Sequence, residues 1–177
     1  MRFYRSLYKI VLSIKKRIFT YETLILMEND KQKEIYSPAS IKKASYDNVY
    51  DVLSFQSSKY ITKFLEFLSN GDHGYLAYLN DRCVHRSWVK SNQQKVSLHW
   101  AIPYQLKQNE HFVHYCETAP EARGKNIYPA VLSKIVEDFK EKGRVLIDVN
   151  SKNIPSIRGA QKAGFIERKR ETVLVIL

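Results

Sequence analysis

The sequence predicts a single mixed α/β domain, and three observations carry that prediction. The chain has 177 residues, a length that suits one core of useful size. Its C-terminal third alternates strand-like and helix-like runs, strand–helix–strand–helix–strand. Upstream, two apolar strand-like runs meet at Asn80-Asp81, the composition of a tight antiparallel turn. No internal repeat, low-complexity tract or linker divides the chain. Residues 21–177 therefore read as one domain, preceded by a helix over residues 1–20.

That first helix shows apolar residues at Phe3, Leu7, Val11, Ile14 and Ile18, with Arg2, Arg5, Lys9, Lys15, Lys16 and Arg17 on the other face. YETLILME (21–28) reads as a strand, and 34–40 as an extended piece or a loop. Residues 47–71 carry Val49, Val52, Leu53, Phe55, Ile61, Phe64, Leu65 and Leu68, the spacing of one broken helix or two short ones ending at Asn70-Gly71. Residues 74–81 and 82–91 are the two hairpin strands, and 95–103 has no clear assignment. EHFVHYCET (110–118) is a strand. Residues 126–143 form a strong helix stopped by Gly143, 144–150 a strand, 153–165 a short helix with Pro155 near its start, and 167–177 a final strand.

The formal charge is +11, of which residues 1–20 contribute +6. The remaining +5 suits a polyanionic ligand or simple solubility. Two cysteines, Cys83 and Cys116, make neither a disulfide framework nor a metal-ligand spacing, so no metal is expected and a reducing cytoplasm is the simplest compartment. No run approaches the roughly 20 apolar residues of a membrane span. Lys15-Lys16-Arg17 falls where a signal peptide needs an apolar core. The basic amphipathic stretch leaves a peripheral membrane contact open; docking on the domain is the simpler reading.

TAPEARGKNIYPAVLSKI (118–135) carries the chemistry. A strand, a compact loop and a helix place unpartnered main-chain N–H groups at a helix start, where the helix dipole adds positive character. A phosphate satisfies both. Gly124 keeps the loop tight, Arg123 and Lys125 add charge, and Pro129 sits in the first turn, where its missing N–H matters least.

Together with VLIDVNSKNIPSIRGAQKAGF (145–165), this stretch resembles the GNAT superfamily of acetyl-CoA-dependent N-acetyltransferases, over about residues 110–166. The resemblance implies a mixed, mostly antiparallel central sheet, flanked by helices and splayed between its fourth and fifth strands. It implies acetyl-CoA as acyl donor in that opening. Arg123, Gly124, Lys125, Asn126, Ile127 and Tyr128 fall on the family's Arg/Gln-x-x-Gly-x-Gly/Ala loop, whose amides bind the CoA pyrophosphate. The segment His114–Thr118, with Cys116 and Thr118, falls on the strand that pairs with the pantetheine arm. Asn153 and Ser156 fall on the second motif, where the asparagine contacts the cofactor. Two positions depart from the pattern. Asn126 and Tyr128 replace loop glycines; asparagine tolerates the left-handed backbone best among non-glycine residues. Ala160 stands where the family's tyrosine general acid is expected.

Attack by an amine on a thioester needs a base for the ammonium proton, a polarised carbonyl and a proton for the departing thiolate. Strand alternation puts Phe112, His114, Cys116 and Thr118 on one face and His111, Val113, Tyr115 and Glu117 on the other. By resemblance the base comes from the first face, which selects His114 as catalytic, with Glu117 as runner-up. His111 and His99 are weaker candidates. Cys116 reads as a small packing residue, and Tyr128 or Tyr115 as a proton donor. The loop variants resemble relatives linked to bacterial surface-sugar synthesis, which implies an amino-sugar acceptor, and residues 72–110 are expected to supply part of its pocket. The sequence keeps three other readings: a CoA-binding fold with little catalysis, a nucleic-acid-binding module, and a membrane-peripheral protein. Nucleic acid is not an expected partner, since Trp88, Trp100 and the lysines fall in no nucleic-acid motif. A homodimer is left open.

Overall fold

The computed structural model describes residues 19–91, 95–98 and 102–176. In chain order the elements are β1 (Phe19–Asn29), β2 (Ser40–Lys43), α1 (Ile61–Ser69), β3 (His73–Leu79), β4 (Arg82–Lys90), β5 (Lys95–Leu98), β6 (Ile102–Gln105), β7 (Glu110–Thr118), α2 (Ile127–Phe139), β8 (Arg144–Asn150), α3 (Ile154–Lys162) and β9 (Phe165–Ile176). The helix expected over residues 1–20 lies outside the described residues up to 18; Phe19 and Thr20 belong instead to β1. No described helix is long and apolar enough to cross a membrane.

One expectation is corrected in detail, and one open segment gains an assignment. The first half of the 47–71 helix is a pair of 3-10 turns, Val49–Ser54 and Ser58–Tyr60. Val49 and Val52 are its buried residues, three apart, and that spacing lies on one edge of a 3-10 turn. In the segment left unassigned, Lys95–Leu98 pairs with Ile102–Gln105 as a small antiparallel sheet, β5 with β6. The turn at Asn80-Asp81 has both residues left-handed (φ 50° and 59°), as a two-residue hairpin requires.

One seven-stranded sheet runs in the order β2-β3-β4-β7-β8-β1-β9. Every neighbouring pair is antiparallel except β7 and β8. The N-terminal strand is thus inserted between β8 and β9, and Leu24–Met27 are buried on both faces. On one face α2 and α3 cover Ile25, Met27, Val84, Val113, Val145 and Ile147. On the other, α1 and the first 3-10 turn pack on Leu76, Tyr78, Cys83 and Trp88, and the β5–β6 hairpin packs on Leu24, Leu26, Phe112 and Leu146. Between α1 and that hairpin the sheet is left with a groove.

Two irregularities in β7 position everything that follows. Its parallel pairing with β8 covers only Glu110–Val113 against Arg144–Ile147, although both strands continue. Its pairing with β4 shifts register between Arg86–Glu117 and Trp88–His114, and Tyr115 takes a left-handed backbone (φ 49°). This is a β-bulge, one extra residue on β7. Arg86, itself buried, donates to the Tyr115 carbonyl, so the bulge is satisfied by a charged donor.

The bulge overturns the strict alternation expected of β7. His111 packs on Phe139 of α2, and Cys116 joins the same core; Thr118 bonds His85 on that side. His114 and Tyr115 pack on Phe67 of α1, and Glu117 meets Arg86, whose guanidinium lies over Phe64. The faces are therefore His111, Val113, Cys116, Thr118 and Phe112, His114, Tyr115, Glu117.

Gly143 lets α2 turn directly into β8. Its φ is 138°, Arg144 N–H donates to Asn109 at 2.9 Å, and a Cβ at Gly143 would overlap the Asn109 carbonyl. Gly143→Ala is expected to destabilise the fold by about 2 kcal/mol or more, read as a lower denaturant midpoint with an unchanged m-value.

Candidate active site

The helix α2 starts without a side-chain cap. Its N-cap, Asn126, is left-handed (φ 57°), as is Gly124 (φ 78°), and the loop between β7 and α2 is thereby folded tightly. Among the described residues, the main-chain N–H groups of residues 124–128 donate to no protein acceptor; the first helical bond is Ala130 to Asn126. Pro129 has no N–H to lose. A Cβ at Gly124 would meet nothing within 4 Å, so the space before these amides is open. Lys162 reaches across from α3 to the Asn126 side chain at 2.8 Å and fixes it. Unpaired amides, a helix start and cations are the combination that suits an anion.

This loop is one wall of a cavity of about 610 Å³, which α3 closes from the other side with Asn153, Pro155, Ser156 and Arg158. Asn153 caps α3, its carbonyl oxygen accepting from Ser156 N–H at 3.2 Å. Cys116 and Thr118 reach the same cavity from β7. Burial pushes the Cys116 thiol up to about 11, so it is protonated at neutral pH and is no nucleophile. All ten residues expected to bind the cofactor, apart from Lys125, line this one cavity. The Lys125 ammonium donates to the Glu121 carbonyl and braces the loop from behind.

A second groove of about 720 Å³ lies between the unpaired halves of β7 and β8 and opens toward α1 and the β5–β6 hairpin. His114 is in its wall, with Lys63 and Phe67 of α1, Lys90 of β4, and Lys95 and Ser97 of β5. Residues within 72–110 thus contribute to it. Burial lowers the affinity of His114 for a proton, an effect that Asp72 beside it opposes and Lys90 and Arg86 reinforce. Its imidazole is the neutral form at pH 7, the form a base needs. Glu117 does not reach this groove; it pairs with buried Arg86 at 2.9 Å and borders the first cavity. His99 lies outside the described residues.

Cavity and groove share Cys116, Tyr128, Asn153 and Ser156. Tyr128 stands where they meet. Its ring lies across Gly159 of α3, where an added Cβ would be 2.6 Å from it, so only glycine leaves room. Burial raises the tendency of the Tyr128 phenol to keep its proton, with Cys116 and Asp148 adding to this. Ala160, at the position where the resemblance implies a tyrosine acid, is fully buried in the core.

Two residues of the site were not visible in the sequence. His85 is fully buried at the cavity wall, its Nδ1 2.7 Å from Thr118 Oγ1 and its Nε2 2.8 Å from Ser87 Oγ. Asp72 lies beneath His114. Neither falls in a motif, because each acts through a contact between segments distant in the chain.

Burial and the Arg86 charge push His85 down to about 3. The unfolded chain, with an ordinary histidine near 6.5, takes up this proton first. Stability is therefore full above about pH 7 and is lost as pH falls from about 6.5 toward 3, by on the order of 2 kcal/mol at pH 5. Melting temperatures between pH 7.5 and 5 are expected to fall; a rise on acidification contradicts a neutral, buried His85. Gly159→Ala is expected to displace the Tyr128 ring, read as a changed tyrosine fluorescence or near-UV spectrum with the fold retained.

No protein-family model and no curated protein matches the chain. Solved structures do. A GNAT-family acetyltransferase from Colwellia psychrerythraea superposes with a TM-score of 0.65 at 11% identity, covering 88% of this chain and 56% of that one. The glucosamine N-acetyltransferase region of a fungal multi-domain GH3 β-N-acetylglucosaminidase gives 0.63 at 11%, over 94% of this chain and 22% of that one. A predicted acetyltransferase from Clostridium acetobutylicum, solved with acetyl-CoA, gives 0.50 at 14%, over 74% and 92%. The chain thus spans a little over half the length of the first of these. With a mixed, mostly antiparallel sheet flanked by helices, and with these neighbours, the protein has the fold of the GNAT superfamily.

Proposed function

We propose that this protein is an N-acetyltransferase that moves an acetyl group from acetyl-CoA to a primary amine, with an amino sugar as acceptor. The observation that carries the reading is the row of unbonded amides at residues 124–128, set beside the half of β7 that has left β8. The amides and Arg123 would hold the pyrophosphate. The free edge of β7, residues 114–118, would pair with the pantetheine amides as a further strand does. That path runs from the anion site to the junction at Tyr128, where the thioester would meet the groove. The amino-sugar assignment rests on the loop resemblance and on the glucosamine N-acetyltransferase activity of the fungal neighbour.

His114 takes the proton of the acceptor ammonium, and the free amine attacks the thioester carbon. The C–N bond forms and the C–S bond breaks. Main-chain N–H groups of the bulged strand polarise the carbonyl as its charge develops. Tyr128 gives its phenolic proton to the departing sulfur; burial keeps the phenol protonated up to that step. The second proton, which the nitrogen sheds as the amide forms, restores the Tyr128 phenol by way of water, and His114 returns the first to solvent before the next turnover.

Calorimetry with acetyl-CoA is expected to show binding, weakened at least about tenfold in Gly124→Val, which puts a branched side chain on a left-handed residue before the amides. His114→Gln should lower kcat by about 10²–10⁴-fold, and Tyr128→Phe by about 10²-fold, with acetyl-CoA affinity unchanged in both. In the wild type, the acid limb of kcat at saturating acceptor should lie below about 6.5, because His114 holds its proton less tightly than an ordinary histidine. Absence of any acetyl-CoA binding by well-folded protein sinks the reading. Binding without thiol release, across glucosamine and other amino sugars and simple amines, leaves a CoA-binding fold and removes the enzyme.

A further inference from the structure

Two buried carboxylates in this protein are treated differently. Glu110 is fully buried and fully engaged: its oxygens accept from Lys107 N–H, from the Tyr104 hydroxyl and from Arg144. The Asp72 side chain is also fully buried, yet neither of its oxygens accepts a hydrogen bond from the described residues. Its neighbours are His114 Nε2 at 3.2 Å and Lys90 Nζ at 3.5 Å. The distance to Nε2 suits a hydrogen bond, but the ring is not aligned for one, and Nε2 too is buried without a partner. A change of ring angle, without approach, would satisfy both atoms. Such loose contacts commonly tighten when a substrate binds.

A carboxylate buried without hydrogen bonds is costly and needs a reason. Packing does not supply one here. Asp72 follows the C-terminal end of α1, its N–H donating to Phe67, and a helix C-terminus disfavours negative charge. What the position does supply is contact with one nitrogen of a histidine whose ring lines the groove.

We propose that Asp72 is a positioning residue: it takes the Nε2–H of His114, holds the ring against Phe67, and leaves Nδ1 bare toward the groove to receive the acceptor's proton. The base role of His114 rests on the function proposed above; the tautomer does not. Imidazole carries one proton when neutral, so a carboxylate at Nε2 fixes which nitrogen is the acceptor. The other charges around the groove at the ring, among the described residues, are Lys90 and Arg86 on β4, Lys63 on α1, Lys95 on β5 and Asp148 on β8, with Tyr115 edge-on at 5.8 Å. The two β4 cations disfavour a second proton, and Asp72 keeps that opposition from removing the ring's basicity.

The test combines ring-nitrogen NMR with kinetics. In ¹⁵N-labelled protein at pH 7.5, the His114 signals, identified by their loss in His114→Gln, should show Nε2 protonated and Nδ1 bare. In Asp72→Asn the amide can donate to Nε2, so the proton should move to Nδ1, and kcat should fall about 100-fold or more with the acetyl-CoA dissociation constant unchanged. The acid limb of kcat should also move to lower pH, since the group that opposes the lowering is gone. A wild-type ring protonated at Nδ1 overturns the proposal by itself, even if the variant fails to fold. So does an Asp72→Asn enzyme with full kcat and an unmoved acid limb. Failure of acetyl-CoA to bind removes the acetyl-transfer reading, while the ring spectra still decide the role of Asp72.

Discussion

Four residue pairs join β7 to β8, and the site lies beyond the fourth. A parallel strand in the middle of a sheet ordinarily gives its main-chain groups to both neighbours. From His114 onward β7 gives them to β4 on one side only, while on the other it borders the groove. Such an edge, in the centre of a sheet, is tolerable only where water or a ligand can satisfy it. At this opening α2 and α3 pack on one face of the sheet, and α1 and the β5–β6 hairpin on the other.

The bulge at Tyr115 follows from the same constraint. A strand that must stay bonded to β4 while turning away from β8 needs additional twist, and an extra residue supplies it. Arg86 secures the arrangement through the Tyr115 carbonyl and Glu117. The bulge then sends Cys116 and Thr118 toward the cavity beside the loop and His114 toward the groove. One strand thereby serves two compartments, and Tyr128, seated on Gly159, is the partition between them.

Much of this was legible in the sequence. The hairpin at Asn80-Asp81, the long α2 stripe, the short α3 with Asn153 ahead of Pro155, and the strands on either side of α2 all rest on local signals. The loop was legible for the same reason, since its glycine, cations and proline are contiguous. What escaped depends on contacts between segments distant in the chain. The bulge leaves no mark in EHFVHYCET, so alternation assigned half of β7 to the wrong face. Asp72 and His114 are 42 positions apart, and His85 meets Thr118 across 33. The 3-10 turns at 49–60 share their apolar spacing with an α-helix, and only the two buried valines distinguish them.

The placement of β1 has a consequence for how the molecule is made. This strand is synthesised early, but its partners are β8 and β9, more than a hundred residues later. At ordinary translation rates it waits roughly ten seconds or longer before either partner has emerged. Throughout that interval Thr-Leu-Ile-Leu-Met, residues 23–27, is an apolar segment with two unpaired edges, the form most prone to join a neighbouring chain. The sheet can otherwise assemble from β2 to β7 as the ribosome proceeds. The centre of the sheet is therefore the last part that can close, and the first strand stays unpaired until then.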